Sequence, residues 1–106
     1  MNRGDIYWVN LSSGHTIDSK QLHQCVIVSA SAINRARHTV VVVPLSETAP
    51  IREPIVVGVN WNGKTVAAFC DQVRTINKTH LVNAIGTVTL DDMQTLDDSL
   101  RQVLSL

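Results

Sequence analysis

The residues of this 106-residue chain that could move protons or hold charge are unevenly spread. Histidine, with an ordinary pKa of about 6.5, carries both protonation states near neutrality. There are four: His15, His23, His38 and His80. His15 lies in a polar stretch and His23 at its end, so both are candidates for acid or base work. His38 and His80 fall at strand or turn ends and receive no role. Ser46 follows Pro44 at the end of an apolar run, where its hydroxyl can bond a phosphate oxygen. Asp71, Gln72 and Arg74 follow in a later run. Strand alternation would put Gln72 and Arg74 on one face and Asp71 on the other unless a bulge intervenes.

Nine basic and nine acidic residues cancel, so net charge gives no support for a nucleic-acid partner. Such a partner would have to meet a local patch. Arg35, Arg37, His38, Arg52, Lys64, Arg74 and Lys78 fall mid-chain, whereas Asp91, Asp92, Asp97 and Asp98 fall near the end, so a basic face and an acidic end are possible. Cys25 and Cys70 are far apart in apolar runs without metal-type spacing, and read as two reduced core thiols. No metal or cofactor is expected.

The length implies one domain, residues 1–106, able to bury roughly 65% of its unfolded surface. Aromatic residues are few, so the core is aliphatic. The N-terminus does not read as a signal peptide and no apolar run would span a bilayer, so a cytoplasmic protein without membrane contact is expected. Strands are expected over 6–11, 24–29, 39–45, 55–59, 65–76 and 85–88, with the third ending or bulging at Pro44. Residues 12–23 read as a long loop, 30–35 as a helical turn, 46–54 as a second loop, and Asn62-Gly63 as a hairpin turn. Thr89 is a candidate N-cap for a helix to about Leu104. Leu90, Met93, Leu96, Leu100 and Val103 form its core face, and Asp97, Asp98 and Arg101 its solvated face. Five to six short antiparallel strands with one helix imply a small, strongly curled sheet or barrel.

Several segments, in order along nearly the whole chain, resemble one family. Arg3-Gly4-Asp5-Ile6-Tyr7-Trp8-Val9 is similar to the start of the MazF/PemK/Kid toxins. Gly14-His15, Val26-Ile27-Val28-Ser29, Ile33-Asn34-Arg35, Val41-Val42-Val43-Pro44-Leu45-Ser46 and Cys70-Asp71-Gln72-Val73-Arg74-Thr75-Ile76 resemble further family segments. The resemblance implies a mainly β fold with α, an SH3-like barrel closed by a C-terminal helix. It implies a homodimeric toxin of a toxin–antitoxin module, cutting single-stranded RNA without metal and held by a cognate antitoxin.

Such cleavage needs a base for the ribose 2′-OH, an acid for the leaving 5′-oxygen, and a donor or cation for the phosphorane. The resemblance makes His15, Ser46 and Asp71 catalytic candidates. The family's customary Arg-Pro pair falls on His23-Gln24, and its arginine two residues before the aspartate falls on Phe69. His23 is therefore the candidate to take over as proton donor or cation. Gln72, Arg74, Arg52, Lys20 and Trp61 are RNA-binding candidates, Trp61 by stacking on a base or else by packing on its own sheet. Two other readings stay open. One is a module that binds antitoxin or RNA without cutting, and the other, least supported, is a gyrase poison like the CcdB toxins.

Overall fold

Runs of Val and Ile become strands because β-branched side chains pack well on a pleated surface. The computed structural model describes residues 1–11 and 22–106. It contains β1 (Asp5–Asn10), β2 (Leu22–Ile27), α1 (Ser31–Ala36), β3 (Thr39–Ser46), β4 (Val56–Trp61), β5 (Lys64–Phe69), β6 (Arg74–Asn77), β7 (Leu81–Thr87) and α2 (Leu90–Leu104). The seven strands form one antiparallel sheet in the order β4-β5-β3-β2-β1-β7, with β6 also paired to β3. The expectation of five to six strands is thus corrected to seven among the described residues.

The extra strand comes from residues 65–76, which are two strands rather than one. A 3-10 turn, Cys70–Gln72, separates β5 from β6. The break matches Pro44. On one side of β3, β6 pairs as far as Val42 and β5 takes over at Leu45. Proline has no N–H to donate, and Pro44 falls in the interval where β3 changes partners. The strand therefore runs through Pro44 to Ser46 instead of ending or bulging there.

Two apolar clusters lie on the two faces of the sheet. Ile6, Val26, Val43, Val59, Val66 and Leu96 pack between the sheet and α2. Val9, Cys25, Ile27, Val40, Val42 and Ile76 form the other cluster. The alternation within β2 and β3 supplies both, since these strands are apolar on both faces.

Among the described residues no ladder joins β4 to β7, the two ends of the strand order. Trp61, at the end of β4, bridges them: a Cβ built on Gly86 of β7 would lie 2.0 Å from its ring. Asn62 and Gly63 turn the β4–β5 hairpin with φ of 54° and 78°, as the Asn-Gly pair predicts.

The helix begins where expected. Thr89 Oγ1 accepts from the Asp92 N–H at 3.1 Å, capping α2. Leu90, however, is 90% exposed and not part of the core face. Six residues at 100° each place it about 120° around the helix from buried Leu96. Asp92 takes an inner position instead, and its carboxylate accepts the Asn60 N–H at 2.8 Å. Asp97 is also not simply solvated, because Arg3 pairs with it, tying the N-terminus to α2. Asp98 and Arg101 pair with one another at 2.9 Å. Among the described residues no helix is long and apolar enough to cross a membrane.

Candidate active site in the cleft between two strands

The cleft forms because two strands part. The β2–β3 ladder ends where Cys25 faces Pro44. His23, two residues before Cys25, and Ser46, two residues after Pro44, share one sheet face by strand alternation, past the end of the pairing. Past the ladder's end the strands enclose an open cleft of about 500 Å³. Leu22, His23 and Gln24 border it on one side, Leu45 and Glu47 on the other, with Trp8 and Asn62 completing it.

His23 belongs to β2 rather than to a loop end. It pairs with Val9 of β1 and its side chain is exposed. Ser46 closes β3, and its Oγ accepts from the N–H groups of Thr48 at 3.2 Å and Ala49 at 3.1 Å. The same hydroxyl lies 3.4 Å from Thr48 Oγ1, where either oxygen could be the donor, so the loop that follows holds it in place. Next to it, Glu47 pairs with Lys64 at 3.1 Å, an exposed pair that contributes little to stability but sets opposite charges side by side at the mouth.

Arg74 stands opposite Val42, on the face of Cys25 and Ile76. It forms no ion pair or hydrogen bond with the described residues. Burial pushes the Cys25 thiol up to about 12, and the nearby Arg74 charge acts weakly in the opposite sense. Strand alternation thus puts Arg74, His23 and Ser46 on the sheet face of Cys25 and Pro44. Burial also raises the Cys70 thiol, which sits beside Ser99 of α2.

Asp71 and Gln72 lie on the 3-10 turn, so strand alternation does not govern them. Both are exposed, and no hydrogen bond links Asp71 to a described histidine. Arg52 is exposed in the second loop, where its backbone pairs with Val56. Trp61 packs against the main core with its ring on Gly86, and its Nε1 is buried without a partner among the described residues. His15 and Lys20 lie outside the described residues. The sequence reading missed Trp8, Gln24, Glu47 and Asn62 as cleft residues. The signal was there for two of them, since Trp8 faces Gln24 once β1 and β2 are paired. Among the described residues no three His, Cys, Asp or Glu side chains gather as a metal site.

Comparison with known proteins adds to this geometry. The chain is 28% identical to an endoribonuclease from a mycobacterial species solved in complex with its cognate antitoxin, with a TM-score of 0.84 over 100% of this chain and 96% of that one. A second mycobacterial endoribonuclease structure is 27% identical, with a TM-score of 0.83 over 100% and 92%. A MazE–MazF complex from Deinococcus radiodurans, 15% identical, has the same fold, with a TM-score of 0.80 over 100% and 96%. No curated protein matches the chain in sequence. The model of the PemK-like, MazF-like toxins of type II toxin–antitoxin systems matches residues 2–104, and the chain belongs to that family.

Proposed function

We propose that this endoribonuclease toxin cuts single-stranded RNA beside the cleft where β2 and β3 part, on the sheet face of His23, Ser46 and Arg74, without a metal ion. The observation that carries the reading is His23 at the border of the cleft, two residues beyond the Cys25–Pro44 pair and, by strand alternation, on the sheet face of Ser46 and Arg74.

In the reaction the ribose 2′-oxygen attacks the adjacent phosphorus and the bond to the 5′-oxygen breaks. The 2′-OH proton passes to a base and the leaving oxygen takes a proton. The products are a 2′,3′-cyclic phosphate and a 5′-hydroxyl. His23, exposed at the cleft, carries a proton in this scheme and, when protonated, offsets phosphorane charge. The Ser46 hydroxyl donates to a non-bridging phosphate oxygen. Arg74 holds an RNA phosphate, where its fork of donors suits two oxygens. Asp71, Gln72 and Arg52 are exposed and free to meet RNA leaving the cleft. Trp61 serves the barrel rather than a base. The mycobacterial relative was solved with its cognate antitoxin, and this chain is assigned an antitoxin of its own and a homodimeric state.

The test is incubation with a long single-stranded RNA in EDTA, with the 5′ ends mapped by primer extension. Discrete cuts are expected, slowed about 100-fold or more in His23→Ala, in the range of lost acid–base catalysis. Ser46→Ala should also slow cutting. Cuts unchanged in both variants would place the site elsewhere. Intact RNA with folded wild-type protein would favour a module that binds antitoxin without cutting, the reading that the replaced arginines at His23 and Phe69 support.

A further inference from the structure

A second pocket lies on the same sheet face as Arg74. It is more enclosed than the cleft, with a volume of about 140 Å³, and is lined by Leu11, Arg74, Thr75, Ile76, Asn77 and His80. A water in the liquid takes about 30 Å³, so the pocket has room for several waters or a tetrahedral oxyanion. Its polar groups are suited to an anion. Among the described residues no carboxylate lines it, and the Arg74 guanidinium has no ion-pair partner. His80 is held in place, because its Nδ1 lies 2.9 Å from the Asn10 carbonyl oxygen. A carbonyl only accepts, so Nδ1 carries the hydrogen; Nε2 accepts in the neutral ring and donates to an anion in the imidazolium form. Asn77 is held too, its Oδ1 accepting from the Thr79 N–H at 3.1 Å, which leaves its amide NH2 as donor.

We infer that Arg74, His80 and Asn77 form a subsite for a backbone phosphate of the RNA, one that flanks the phosphate being cut. The inference rests on the ribonuclease reading of the cleft. Arg74 stands opposite Val42, four residues before Ser46 on the same face of β3. At roughly 3.3 Å per residue that is a separation of about 13 Å, which a single strand crosses through its neighbouring phosphates. His80 acts here as a positioning residue. Phosphate contacts set register and affinity without reading sequence.

The test has two arms. In the first, inorganic phosphate is titrated into labelled protein while the imidazole signals of His80 and the guanidinium signals of Arg74 are followed by NMR. Both should move together, and phosphate that leaves them unmoved overturns the subsite whether or not the protein cuts RNA. The second arm measures binding of an RNA made uncleavable by 2′-O-methyl groups. His80→Asn keeps an amide near the Nδ1 position, able to hold the Asn10 carbonyl, but removes Nε2. It should weaken binding by about tenfold, the scale of one hydrogen bond to a charged group. The slope of log affinity against log salt should shrink by roughly 0.7 for each single-strand phosphate that is no longer neutralised, as Arg74→Ala should show. In cleavage, the His80→Asn defect should appear in KM. A purely structural His80 would leave His80→Asn like wild type, and this result would overturn the inference. So would phosphate binding that has no counterpart in RNA affinity.

Discussion

At the scale of single residues, the chemistry depends on what each side chain is already bonded to. Ser46 is the clearest case, its hydroxyl held by Thr48 and Ala49 of the loop that follows. Ser46→Ala therefore tests two things at once, and its stability should be checked beside its activity. Cys25 carries a different prediction. Its pKa rises from 9.0 to about 12 on folding. The folded state thus keeps the proton that the unfolded state loses first, and its stabilising effect is present below pH 9 and lost as pH climbs towards 12. Within that window the protein should lose about 1.4 kcal/mol of stability per pH unit for this thiol. Urea melts at pH 8 to 11 should show the decline, and Cys25→Ala should flatten it while lowering stability throughout. A decline as steep in Cys25→Ala as in wild type would assign the effect to other groups. His23 and Ser46 were legible as candidates from sequence. That they share one sheet face was not, because it depends on the pairing of β2 with β3, which sequence position does not reveal.

At the scale of elements, the sequence marked the strands well and their interruptions poorly. Runs of apolar, β-rich residues located β1, β2 and β3, and the Asn62-Gly63 turn and the Thr89 cap were legible from local chemistry alone. The break between β5 and β6 was not, because its cause is a switch of partners on β3. Leu90 was misplaced because periodicity of three and four admits residues at the border of the helix face as well as its centre. The junction of β4 with β7 is made by one aromatic ring. Gly86→Ala would set a methyl 2.0 Å from that ring, which no real contact permits. It should destabilise the fold by about 1 to 3 kcal/mol, as overpacking does, readable as a lowered Tm. Pairing with Trp61→Phe, which trims the ring, should recover part of the loss. If the double variant is no better than Gly86→Ala alone, the ring is not what the glycine accommodates.

At the scale of the whole molecule, the N-terminus, the sheet and α2 are held together by few polar ties. Arg3 joins Val28 and Asp97, Ser99 donates to the Pro54 carbonyl, and Asp92 takes the Asn60 N–H. None was foreseeable from charge patterning, since each links residues at least 25 positions apart. Asp92→Ala removes an acceptor from a buried position and should cost about 1 to 3 kcal/mol, while Asp92→Asn keeps an acceptor and costs less. The two should be compared by thermal melts with light scattering recorded alongside, and scattering in Asp92→Ala should rise below its melting temperature. Simultaneous melting and scattering would sink the idea behind it. That idea follows from where Asp92 sits. β4 is an outermost strand, and such a strand offers its backbone to any passing chain. Here the first turn of α2 occupies that offer at Asn60. Protection against self-association then depends on the local opening of one helical turn, which takes less free energy than unfolding the domain. The lifetime of this protein in solution would be set by the fraying of that turn.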